Sequence, residues 1–112
     1  MKTLGLYQIF DNVGKSAITQ IIPAATNLTA ALGFRNAYIQ EKDPRKNPYQ
    51  YKALDLIKVA NVELNEDGLV SKVTAADWTI QGSEVMNFIQ EEMQALGVDD
   101  FILDDETEEK TE

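Results

Sequence analysis

The sequence predicts a single α+β domain: an antiparallel sheet of four to five strands with two helices covering one face or end, followed by a disordered acidic C-terminal tail. Length and composition point there first, since 112 residues of which 44% are hydrophobic fill one core and leave nothing for a second. Two stretches carry apolar residues at helical spacing, while the rest of the ordered chain reads as extended runs joined by turn residues. Charge layout sets the tail apart, because 8 of the 19 acidic side chains fall in residues 99–112. The domain is assigned to residues 1–103 and the tail to residues 104–112, which lack any apolar side chain with which to offset the entropy of ordering.

Residues 3–10 are short of turn formers and place Leu4, Leu6, Tyr7, Ile9 and Phe10 on both faces, the pattern of a central strand. Asp11-Asn12-Val13-Gly14 is a turn by composition, and residues 17–22 are strand-like until Pro23 stops or redirects them, which makes a hairpin. Thr26 or Asn27 caps a helix in which Leu28, Ala31, Leu32, Phe34, Ala37 and Tyr38 recur at helical spacing up to about Gln40. Gly33 inside it costs roughly 1 kcal/mol relative to Ala, so either a neighbour packs close there or the helix is imperfect.

Residues 41–52 hold two prolines and form the longest loop. A strand from Ala53 to Ala60, continuing to Leu64, turns at Asn65-Glu66-Asp67-Gly68 and returns over residues 69–73. Trp78-Thr79-Ile80 predicts a further short strand, and Trp78 is assigned to the core or its lid in preference to a base-stacking platform. Ser83 is the N-cap of the second helix and Glu84 lies in its first turn. Val85, Phe88, Ile89, Met93 and Leu96 form its apolar face, with Gly97 at its C-terminal stop.

The net charge of −9 disfavours unassisted binding to duplex DNA or an acidic membrane, so any nucleic-acid role is local. Without cysteine or histidine there is no disulfide, thiol nucleophile, thiolate or imidazole metal site, Ser-His-Asp triad or imidazole base. Asn65-Glu66-Asp67-Gly68 is too short for a calcium loop of about twelve residues, and Gly14-Lys15-Ser16 lacks the earlier glycine of a phosphate loop. A noncatalytic protein with no metal and no cofactor is therefore expected. No stretch approaches the ~20 apolar residues of a membrane span and the N-terminus has no leader pattern, so a cytoplasmic protein without a membrane partner is expected.

The chemistry concentrates in two places. Residues 42–52 set Lys42, Arg45, Lys46 and Lys52 among Tyr49 and Tyr51, which is what single-stranded nucleic acid needs: cations for phosphate and aromatic faces for bases. The competing reading is a polar loop whose tyrosines cover the edge of the core. The second place is the triplet Phe101-Ile102-Leu103, set between Asp99-Asp100 and Asp104-Asp105, which either docks as the last piece of the core or binds a partner together with Asp104 and Asp105.

Three pieces then carry a family resemblance: Tyr7-Gln8-Ile9-Phe10-Asp11 ending the first strand, Ala31-Leu32-Gly33-Phe34-Arg35 in the first helix, and Asn47-Pro48 followed by Tyr51-Lys52-Ala53-Leu54-Asp55-Leu56 and Asn65-Glu66-Asp67-Gly68. Over about residues 5–70 the chain resembles the small nonstructural protein of the gokushovirus-like microviruses, phages with single-stranded DNA genomes. The resemblance implies a phage protein that assists genome replication or packaging by binding single-stranded DNA, and it names no catalytic residue. The second amphipathic helix and the acidic tail depart from that pattern. The tail is similar in composition to the mobile acidic C-termini of many single-strand-binding proteins, although here the apolar triplet precedes the acids.

The expectation is thus a noncatalytic single-stranded DNA-binding or replication accessory protein, acting as a homodimer. The alternative is an acidic protein-interaction module, a phage-encoded inhibitor or adaptor, that captures a basic surface on a partner protein through residues 99–112.

Overall fold

Five antiparallel strands and two helices build the domain in the computed structural model, which describes residues 2–97. The residues that carry the acidic tail, including Phe101, Ile102, Leu103, Asp104 and Asp105, lie outside the described residues. The strands are β1 (Lys2–Asp11), β2 (Ser16–Ala17), β3 (Ile22–Ala24), β4 (Leu54–Leu64) and β5 (Val70–Gln81). The helices are α1 (Asn27–Phe34) and α2 (Val85–Ala95). β1 is central: β4 pairs along its whole length on one side, β2 and β3 share the other side, and β5 is an edge beyond β4.

Local chemistry accounts for most boundaries. The Thr26 hydroxyl accepts from the Thr29 N–H at 3.1 Å and caps α1. In the β4–β5 turn the Asn65 carboxamide accepts from the N–H groups of Asp67 (2.9 Å) and Leu69 (3.0 Å), and Gly68 takes the positive φ of 83°. Gly97 (φ 78°) ends α2 as its sequence position predicts.

Four expectations need correction. Pro23 does not end a strand but sits within β3, whose sole described partner is β1, so its missing N–H breaks no interior ladder. Residues 69–73 and 78–80 are not separate strands: β5 runs unbroken for 12 residues because it follows β4 across a bulge between Lys58 and Ala60. The first helix does reach Gln40, its C-cap, as the spacing predicts. It passes into a π-helical turn at Arg35–Ile39 just after Gly33, where a Cβ would meet nothing within 4 Å, so the glycine marks an imperfect helix and not a close contact. Ser83 does not cap α2 but lies inside a 3₁₀ turn (Gly82–Glu84), and Leu96, assigned to the buried face, is 67% exposed.

The two sheet faces differ. On the helix side, Tyr7 and Ile9 of β1 and Leu54 and Leu56 of β4 are buried with Ala31 and Phe34 of α1 and Val85 and Ile89 of α2. Trp78 closes this core, its indole 6.2 Å edge-on from the Tyr7 ring and 5.5 Å from Phe88. Strand alternation and register put Leu4, Leu6 and Phe10 on the opposite face, beside their β4 partners Val62, Ala60 and Asp55 and the β5 residues Val73 and Ala75. None of these residues belongs to the helix-side cluster, and no described helix covers them. Towards the β4–β5 turn the helix-side face is instead polar, with Thr3, Glu63 and Lys72 in register and then Asn61 with Thr74.

Tyr7 anchors β1 to α1, its hydroxyl donating to Asn27 Oδ1 at 2.5 Å while the ring is fully buried. Tyr7→Phe is expected to lower stability by about 1 kcal/mol, because the Asn27 oxygen loses its partner. Burial pushes the Tyr7 phenol above its ordinary value of 10.0. The unfolded chain therefore releases that proton first, and stability is intact below pH 10 and falls as pH rises beyond it. Burial and then the neighbouring Tyr49 raise Tyr38 in the same sense, so Tyr7→Phe should remove part of the alkaline slope and leave the rest. Urea titrations of both proteins from pH 8 to 11 check this.

Candidate nucleic-acid interface

The basic loop spans residues 41–50 and ends in a 3₁₀ turn at Tyr51–Ala53. Its first bend forms at Asp43-Pro44-Arg45-Lys46. The Asp43 carbonyl accepts from the N–H groups of Lys46 (3.0 Å) and Asn47 (2.9 Å), with proline in the position where its fixed φ suits a turn. The Asp43 carboxylate accepts from the Arg45 N–H at 3.0 Å and from its guanidinium at 3.3 Å. Those two donors, the backbone first, hold the Asp43 carboxyl below the usual carboxylate range.

Asn47 pins the middle of the loop. Its side-chain amide donates to the Tyr38 carbonyl at 2.9 Å, and its oxygen accepts from the Tyr49 N–H at 3.2 Å. The aromatic rings continue the tether, Tyr49 lying 6.5 Å from Tyr38 and Tyr38 lying 5.3 Å from the buried Phe34. The middle of the loop is thus held to the π-helical turn by one carboxamide and a ladder of three rings.

The structure places the six residues of the loop unequally. Lys42, Arg45, Lys46 and Lys52 are all exposed, and Lys42 Nζ donates to the Ile39 carbonyl at 3.1 Å. The Arg45 side chain is 90% exposed, so its ion pair with Asp43 is worth little and a phosphate can displace it. Tyr49 keeps 38% of its surface exposed. The Tyr51 ring instead packs against the core cluster, with Lys52 Nζ 6.0 Å from its centroid. Of the two tyrosines, Tyr49 is therefore the one with a ring free to stack.

One cation escaped the sequence reading. Lys15 stands in the β1–β2 turn, its N–H donating to the Asp11 carbonyl at 2.7 Å, and the neighbouring Asn12 N–H donates to the Ala53 carbonyl at 2.9 Å. That bond puts the turn beside the segment bearing Lys52. The only local signal was Gly14-Lys15-Ser16, which says nothing about the sheet end at which it arrives. Among the described residues no three acidic side chains gather as metal ligands, and no helix is long and apolar enough to cross a membrane. Comparison with family models, curated proteins and solved structures finds no match to this chain.

Proposed function

We propose that the protein is a noncatalytic single-stranded DNA-binding accessory protein of a microvirus-like phage, working as a homodimer in the host cytoplasm. The observation that carries this reading is the tethered loop at residues 42–52, which carries four exposed cations and the exposed Tyr49 in eleven positions. Arg45 and Lys46 stand at the apex for phosphate, Lys42 and Lys52 flank them, and Tyr49 offers a face on which a base gains about 1–3 kcal/mol by stacking. Tyr51 contributes by supporting Lys52. The resemblance over about residues 5–70 supports the same reading. The acidic residues 99–112 compete with DNA for the loop, which keeps nonspecific binding weak at low salt.

Anisotropy of a labelled single-stranded oligonucleotide tests it. Arg45→Glu with Lys46→Glu should lower affinity at least tenfold and reduce the salt slope by about 1.4, the loss of two phosphate contacts on a single strand. A chain ending at residue 98 should bind more tightly than the full chain. If neither the full chain nor the chain ending at residue 98 binds, the reading falls, and capture of a basic partner protein by residues 99–112 takes its place.

A further inference from the structure

The sheet face turned away from the helices joins two observations, an apolar surface and a charge gradient along it. Leu4, Leu6 and Phe10 on β1 and Ile57 and Leu64 on β4 line it, half-buried around the buried Val62, and the outermost strand adds Val70 and Val73, which are 58% and 62% exposed. The alternation is deliberate in the sequence: where β4 and β5 pass beyond the helices, Glu63, Asn61, Lys72 and Thr74 take the helix side, and every large apolar residue takes the other. A ribbon meant to stand in water on both faces has no use for that segregation.

Charge on this face is sparse and ordered. Lys2 stands at the end nearest the β4–β5 turn. At the other end is Asp55, between the buried Leu54 and Leu56, and Asp77 lies midway along the outer strand, next to Trp78, whose partner is Lys58. One cation against two carboxylates gives DNA phosphates nothing to bind, which argues for protein as the occupant.

We infer that this face is the interface of a twofold dimer, in which the sheets of two copies stack with their strands running in opposite senses. Two in-plane twofold axes would stack the sheets. An axis along the strands would set Asp55 of one copy against Asp55 of the other, a like-charge contact. An axis across the strands sets Lys2 of each copy over the Asp55 end of its partner with apolar residues between them, and brings the two exposed Asp77 carboxylates near each other only at the outer strand, where water screens them, so the two Lys2–Asp55 approaches make the face complementary to itself. Sheets packed this way stand about 10 Å apart and exclude water from their facing side chains.

The extent of the face sets the strength of the pair. Three strands spaced by about 4.8 Å and running for about nine residues at ~3.3 Å each cover roughly 400 Å² per copy. Side-chain relief adds to this, and the pair falls at the small end of specific interfaces, near about 1,000 Å² in total. Such a dimer forms in the micromolar range and dissociates on dilution. This inference rests on the functional reading only in requiring two copies, not in requiring DNA.

Sedimentation of the full chain from about 1 μM to about 200 μM is the test, a range bracketing micromolar affinity. The mass should climb from 12.5 kDa towards twice that value. Val73→Asp alters a side chain that is already largely exposed, and it should hold the protein at monomer mass throughout with an unchanged circular dichroism spectrum. Lys2→Glu should weaken the dimer at least tenfold, and Lys2→Glu combined with Asp55→Lys should restore it. A wild-type chain monomeric at the highest concentration overturns the inference. So does a dimer indifferent to both Val73→Asp and Lys2→Glu, and a charge swap that restores nothing overturns the arrangement. Arg45→Glu with Lys46→Glu should leave the mass untouched, so failure of DNA binding and failure of dimerisation are read separately.

Discussion

Gly82→Ala is expected to destabilise the domain by about 3 kcal/mol or more, a large share of the 5–15 kcal/mol that holds a typical domain together. A Cβ at Gly82 would lie 1.8 Å from the Tyr51 carbonyl oxygen and 3.0 Å from that of Leu54. Both are backbone atoms, so no rotamer change relieves the clash. The Tyr51–Ala53 turn would have to lift away from the end of β5, and that junction covers Leu54 and Val85, both fully buried. Lifting it also strains the Asn12–Ala53 bond that seats the Lys15 turn. Gly33→Ala is the internal control. Nothing lies within 4 Å of its Cβ position and the residue is helical, so alanine should raise stability by about 0.5–1 kcal/mol. Urea midpoints at constant slope measure both changes. If Gly82→Ala also raised the midpoint, the 51–53 turn would be shown to yield freely.

The contrast between these two glycines shows where the sequence is legible. In the sequence both interrupt or precede a helical pattern, and their spacing gives no sign that one touches a carbonyl oxygen and the other faces open space. What the sequence did carry was local: the Thr26 cap, the Asn65–Gly68 turn and the strand of Leu4, Leu6, Tyr7, Ile9 and Phe10 follow from short-range chemistry and alternation. The apolar groups on both faces of β1 were legible too. That helices cover just one of those faces depends on where α1 and α2 pack, which is a tertiary outcome. The single β5 strand was hidden for a related reason. Ala75, Ala76 and Asp77 are poor strand formers, and the pairing of β4 with β5 on both sides of the bulge, through Ala60–Ala75 and Lys58–Trp78, overrides their preference. In the candidate site the residue types of the loop could be read directly. The division of labour between Tyr49 and Tyr51 could not, because it is set by the Phe34–Tyr38 ladder and the core edge.

Phe34→Ala is expected to cost about 3–5 kcal/mol and to lower the melting temperature by roughly 15–30 °C. Phe34 is 1% exposed at the end of α1 and walls a cleft of about 370 Å³ between that helix and β1 and β3. Loss of the ring opens this space further, since Tyr7, Ile9 and Leu56 on the sheet side are already fixed by strand pairing and cannot collapse into it. The consequence reaches the loop, because Phe34 is the inner member of the ladder that ends in Tyr49. Phe34→Leu separates the two effects. It keeps most of the volume and should cost about 1–1.5 kcal/mol, yet it removes the aromatic edge against which Tyr38 is tilted. In that variant the Tyr49 amide, bonded to Asn47, should exchange with solvent several times faster than in the native chain, while amides of β1 and β4 change by no more than the global loss of stability. Unchanged exchange at Tyr49 would mean that Asn47 alone holds the loop, and the three rings would then be core packing with no part in presenting Arg45 and Lys46.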